Sequence, residues 1–324
     1  MSDIVDGFNA LRPSTSRTEF EALSLSGDRA DFLAKGPDGK PIFLLQEKTT
    51  DQYQPGLHLR YLDADFQMTC RLEVDQGHIE DVFAIVACTA DEPELYELFI
   101  RSLDAAREQI SKLAATQEIR TTVQNLASLF RSLAGPNSRS IIGLWAELFV
   151  IQRSGSIPHS ISMWRGDASE RFDFSTPTTA LEVKATVGIS RSHEFNLEQL
   201  TVPKNGAGYV VSLLLQPING GTSILELAAN VERELTPTPH LRTRLWENIV
   251  GDLGNDFGAS LDKRFDESYA ERNLQVFAMD DIPKPGHRSD PRVTSIRFIA
   301  DCTGLISSTP HSDIGGLRAI FESS

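Results

Sequence analysis

Arg171-Phe172-Asp173-Phe174-Ser175-Thr176-Pro177-Thr178-Thr179-Ala180-Leu181-Glu182-Val183-Lys184-Ala185-Thr186 reads as two short strands joined by a tight turn. In the second arm Leu181, Val183 and Ala185 share one face and Glu182, Lys184 and Thr186 the other, because strand side chains alternate. Pro177 supplies a fixed φ and the flanking hydroxyls can bond back to the chain, which is turn chemistry. Closure about Pro177-Thr178 sets residue 173 opposite residue 182. Opposed Cβ atoms lie about 4.5–5.5 Å apart, where like charges repel. Two carboxylates so placed need a reason. A divalent cation is one, since Mg²⁺ is held by one or two carboxylates together with waters and substrate phosphate oxygens.

Upstream, the spacing predicts a helix over 140–151 and then a short strand before the hairpin. The apolar stripe runs through Ile141, Leu144, Trp145, Leu148 and Phe149, with Glu147 at its edge. No Lys or Arg stands three or four residues away to pair with Glu147. A carboxylate against apolar surface is costly without a partner from elsewhere in the fold, and the hairpin or its metal is the expected one.

Glu147, then Asp173, then Glu182-Val183-Lys184, then Glu198-Gln199-Leu200, in the order helix, strand, strand, short helix, resembles the PD-(D/E)XK nuclease superfamily, whose core runs αβββαβ. More narrowly the chain is similar to a bacterial family of PD-(D/E)XK proteins of unknown function found in phage-defence neighbourhoods. The motifs cover residues 141–215. Phe172 stands where the superfamily name has Pro.

The resemblance implies an α/β (α+β) fold with a restriction-endonuclease-like core and Mg²⁺-dependent phosphodiester hydrolysis of DNA, with Mn²⁺ able to substitute. Its catalytic set would be Asp173, Glu182, Lys184, Glu147 and Gln199. Asp173, Glu182, the carbonyl of Val183 and Glu147 would be the metal ligands, Glu147 toward a second ion or its water. With acidic neighbours, Lys184 is expected to stay charged, orienting the attacking water and stabilising developing phosphorane charge. Gln199 would orient water or bond a phosphate oxygen, or else cap its helix. Thr186 shares the site face, and His193 could shuttle a proton. Trp164 reads as core. Lys284, His287, Arg288 and Arg292 form the most basic short stretch, read as a solvated loop ahead of a DNA contact.

With 324 residues, 40% hydrophobic and 23% charged, the chain can bury a large core in two or three packed parts. No apolar run approaches the ~20 residues needed to span a bilayer, and the first residues lack a secretory pattern. A cytoplasmic protein is expected. Cys70, Cys88 and Cys302 are scattered, which argues for reduced thiols and against a zinc site. The net charge of −14 argues against a general nucleic-acid coat. Residues 131–205, however, hold eight Lys/Arg against seven Asp/Glu, so the acidity lies in the flanks.

Along the chain, residues 1–134 read as an antiparallel β unit followed by helices from Pro93 to about Leu133, ended by Gly135-Pro136-Asn137-Ser138. Residues 135–220 are the nuclease-like core. Residues 221–324 add helices at 223–235 and 239–253 and strands near 274 and 293. Asp38-Gly39-Lys40 also has an acid-x-Lys spacing, but an acid in a tight turn more often bonds backbone. Expected partners are DNA, other defence proteins such as a helicase, ATPase or methyltransferase, and a second copy in a homodimer, with no membrane. Two rival readings are a catalytically silent nuclease fold binding DNA or a partner in a defence complex, and a protein-interaction module unrelated to nucleic acid. If these side chains point into different regions, or an arginine already neutralises the hairpin acids, the hydrolytic reading fails and only the fold assignment survives.

Overall fold

The computed structural model describes residues 3–48, 54–74, 77–112, 114–133, 140–166, 170–202, 206–254, 261–286, 292–293, 295–306 and 314–322. It is a mixed α+β protein of two compact units, one of Met1–Asn137 with Ile249–Gly258, the other of Ser138–Asn248 with Ala259–Ser324. The expected helix stop at 135–138 and the basic pair His287 and Arg288 lie outside the described residues.

The first unit opens with α1 (Ile4–Ala10), capped by Asp3. Strands β1 (Glu19–Ser24), β2 (Phe32–Lys35), β3 (Pro41–Gln46), β4 (Leu57–His58), β5 (Leu62–Val74) and β6 (Gly77–Cys88) follow. The order β1-β2-β3-β6-β5 is antiparallel throughout, as expected. A parallel pairing of β1 with β5, Phe20 opposite Leu72, then closes it into a barrel. Closure removes the two sheet edges that would otherwise be open to pairing. Phe20, Phe32, Leu44, Cys70, Leu72 and Phe83 fill the interior. Helices α2 (Glu94–Arg107) and α3 (Thr116–Ser132) fill the span read as helical from Pro93 to about Leu133. The acid of Asp38-Gly39-Lys40 does bond backbone, accepting the Lys40 N–H at 3.3 Å across a turn in which Gly39 takes φ +83°.

The second unit contains α4 (Ile141–Arg153), α5 (Ile157–Met163), β7 (Phe174–Ser175), β8 (Thr179–Thr186) and β9 (Ser192–Asn196). A 3₁₀ turn (Leu197–Leu200), β10 (Ala207–Leu214), β11 (Pro217–Thr222), α6 (Ile224–Glu234) and α7 (Pro239–Leu253) come next, the residues of α7 from Ile249 onward being counted with the first unit. Then follow α8 (Glu267–Arg272), β12 (Leu274–Ala278), β13 (Arg297–Asp301) and α9 (Ile314–Glu322). Where a short strand was expected before the hairpin there is the helix α5, followed by a single bridge from Trp164 to Phe174 among the described residues.

The hairpin closes in the expected register, Phe174 opposite Leu181 and Ser175 opposite Ala180. Strand β8 is central, with β7 antiparallel on one side and β10 parallel on the other in the order β12-β10-β8-β7. The chain order helix, three strands, short helix, strand is present. The third strand, β9, pairs with β13 instead of joining the sheet, and the second helix is a single 3₁₀ turn. Gly206 is required where β10 begins, because a Cβ there would strike the Thr178 carbonyl that accepts the Ala207 N–H. Helix α4 packs on β8 and α6. It is apolar almost all round, the pattern of a helix buried on most sides, and Leu144 through Ile151 are all buried.

Candidate active site

Burial sets the terms of the chemistry. Glu147 is 1%, Asp173 2%, Glu182 2% and Arg165 4% exposed. Ionised groups this deep need partners, because an unpaired charge away from water costs several kcal/mol.

Glu147 finds its partners in the segment between α5 and the hairpin. Trp164, itself fully buried as core, donates its indole Nε1–H to Glu147 Oε2 at 2.7 Å. Arg165 places a guanidinium NH2 3.5 Å from the same oxygen and its Nε 3.6 Å from Asp173 Oδ1. These are ion-pair distances, longer than good hydrogen bonds. The backbone fixes this segment tightly. Arg165 N–H donates to the Asp173 carbonyl at 2.9 Å, Asn248 donates to the Arg165 carbonyl at 2.7 Å, and Arg244 donates to the Trp164 carbonyl.

Asp173 is held from the other side as well, its Oδ2 accepting the Val183 N–H at 2.8 Å. Continuing the hairpin ladder by one residue sets Asp173 opposite Glu182. On β8, Glu182 shares its face with Ala180, which packs against Phe195 and Leu200. Glu182 Oε1 accepts from Lys184 Nζ at 2.8 Å and from Gln199 Nε2 at 2.5 Å. Gln199 both caps its turn and bonds Glu182. Its Oε1 accepts the Asn196 N–H at 3.0 Å, closing a capping box on the 3₁₀ turn, and lies 3.4 Å from Lys184 Nζ. Arg171 ties that turn to the hairpin through the Glu198 and Thr201 carbonyls.

Lys184 is the open member of the group. Its side chain is 19% exposed and runs over the Phe195 ring at 5.2 Å. Beside it in register on β10 is Ser212, whose hydroxyl meets His193 Nε2 at 2.8 Å and Arg191 at 2.9 Å. Burial, with Lys184 and Arg191 nearby, pushes the His193 imidazole down to about 4, so it is neutral near pH 7. Thr186 turns its hydroxyl to the Gly188 N–H at 3.1 Å. Lys284 bonds the Leu200 carbonyl and Asp280. The three cysteines are free and buried.

The structure therefore brings the proposed residues together as two joined groups. One is Glu147, Trp164, Arg165 and Asp173, and the other is Glu182, Lys184 and Gln199. The Asp173–Val183 hydrogen bond connects them. Among the described residues, no three His, Cys, Asp or Glu side chains are gathered as a ready metal cage. The donor set still suits one hard cation, because Asp173 and Glu182 oppose each other by register and Mg²⁺ needs only one or two carboxylates. Arg165 is what the sequence reading missed. It neutralises one hairpin acid, Asp173, whereas Glu182 is paired by Lys184. A Trp-Arg pair shortly before the hairpin acid was the available signal.

The chain belongs to the family described as "Putative PD-(D/E)XK family member, (DUF4420)", whose model matches residues 8–298. The match runs well beyond the hairpin region and takes in the barrel. No curated protein and no solved structure matches the chain. No helix among the described residues is long and apolar enough to cross a membrane.

Proposed function

From membership of a PD-(D/E)XK family, we propose that this chain hydrolyses phosphodiester bonds of DNA with the help of a divalent cation, Mg²⁺ or Mn²⁺, in defence against phage. The observation that carries the reading is the Glu182–Lys184–Gln199 triangle opposite Asp173. There an acid and an amine on a central strand and an amide from the following 3₁₀ turn are oriented by mutual bonds of 2.5–3.4 Å. Catalytic groups held this way lose little freedom at the moment of reaction.

Asp173 and Glu182, with the carbonyl of Val183, would hold the cation, which supplies Lewis-acid polarisation of the scissile phosphate. Lys184 is the more exposed partner of its ion pair, with 19% of its side chain open against 3% for Glu182, so its ammonium would meet an arriving phosphate and stabilise the negative charge that develops in the transition state. Gln199 fixes the Glu182 carboxylate and sits within reach of a water beside Lys184. His193, neutral and bonded to Ser212, supports the strand behind Lys184 and transfers no proton in this scheme.

One observation favours a second reading. With Arg165 between Glu147 and Asp173, both acids are satisfied without metal, which suits a nuclease fold that binds DNA or a partner protein and does not cut. Supercoiled plasmid incubated with the purified chain separates the two. Nicking or linearisation that needs Mg²⁺ or Mn²⁺ and stops with chelator supports hydrolysis. Salt-dependent binding with no cutting supports the silent fold.

A further inference from the structure

We propose that Arg165 occupies the place of a second cation, so that the site takes one divalent ion, at Asp173 and Glu182, and not two. The inference rests on the hydrolytic reading above and deepens it.

The guanidinium lies between two buried carboxylates, 3.5 Å from Glu147 Oε2 and 3.6 Å from Asp173 Oδ1. A second ion bridging Glu147 to the hairpin would compete with the guanidinium for those same two oxygens. Arginine cannot vacate the place by losing a proton, since its guanidinium stays charged in proteins. Nor is its main chain loose, being bonded to Asp173 and Asn248, with the preceding carbonyl bonded to Arg244. At 4% exposure little water is present to screen a divalent ion brought against it.

Charge counting agrees. Counted as formal charges, the three carboxylates Glu147, Asp173 and Glu182 and the two cations Arg165 and Lys184 sum to a single negative charge. One divalent ion and one bridging phosphodiester bring the set to zero. A second divalent ion would leave two positive charges in a buried site.

The test is the number of Mn²⁺ ions bound per full-length chain, read by calorimetry and by the electron paramagnetic resonance of free Mn²⁺, without DNA. The wild type is expected to bind one ion, lost in Asp173→Asn. Arg165→Gln is expected to bind two, the second lost again in the Arg165→Gln, Glu147→Gln double variant. Two site-specific ions on the wild type would overturn the proposal while leaving the hydrolytic reading intact. The wild-type number needs no variant to fold. A single ion on a folded Arg165→Gln, with far-ultraviolet circular dichroism unchanged, would likewise overturn it. No Mn²⁺ bound by either protein would overturn it together with the reading beneath it.

Discussion

Arg165 clamps Asp173 twice, through a backbone N–H to the Asp173 carbonyl at 2.9 Å and through a guanidinium Nε 3.6 Å from its carboxylate. The same side chain answers Glu147 at 3.5 Å. Removing it leaves two buried acids short of their counter-charge. Arg165→Ala is expected to cost about 3–5 kcal/mol in urea unfolding. Adding Asp173→Asn to that variant should cost less than the two changes taken separately, because the pair interacts. Additive losses would show that the guanidinium is incidental to Asp173.

Trp164 gives Glu147 a bond of 2.7 Å from the indole nitrogen. Trp164→Phe keeps most of the packing and removes that donor. A loss of about 1–3 kcal/mol is expected, the cost of taking a short hydrogen bond from a buried acceptor. A change within about 0.5 kcal/mol, the range of an ordinary surface substitution, would mean that Glu147 does not depend on the indole.

The hairpin was legible in the sequence because period-two alternation and turn chemistry are local. Phe174 does face Leu181, and Asp173 follows in line with Glu182. Glu147 was legible as a buried acid in need of a partner, since its own helix offered none. The identity of that partner was not. Arg165 reaches both acids only because α5 turns the chain back and Trp164 bridges to Phe174, contacts that no periodicity announces. The pairing of β9 with β13, which begins more than a hundred residues downstream, and the closure of β1 on β5 are likewise long-range. Each strand carries the same alternation whichever neighbour it takes.

His193 makes stability depend on pH in a defined window. Its imidazole is held down to about 4 in the folded protein, against 6.5 as the ordinary value. Between those values the unfolded chain takes up a proton and the folded one does not. Stability is therefore lost as pH falls from about 6.5 toward 4 and the loss levels off below, amounting to about 3 kcal/mol. His193→Gln should flatten that part of the profile relative to wild type. Parallel profiles for the two proteins would show that the histidine is not held neutral.

Two glycines should respond with opposite signs. At Gly206 an added Cβ meets the Thr178 backbone, which cannot move without disturbing the pairing of β8 with β10. Gly206→Ala is expected to cost about 1–3 kcal/mol. In helix α4 nothing lies within 4 Å of a Cβ at Gly143, so Gly143→Ala should stabilise by about 0.5–1 kcal/mol. Thermal unfolding of the two variants side by side checks both, and a Gly206→Ala protein as stable as wild type would refute the assigned close approach.

The most direct measurement is the single-turnover rate of DNA cleavage with Mg²⁺ or Mn²⁺ by wild type, Asp173→Asn and Lys184→Ala, each shown to be folded. The expected result is metal-dependent cutting by wild type and a loss of about 10²-fold or more in each variant, the scale on which removing one charge-stabilising group acts. Cutting that survives both substitutions, or a wild type that binds DNA and never cuts it, would contradict the account.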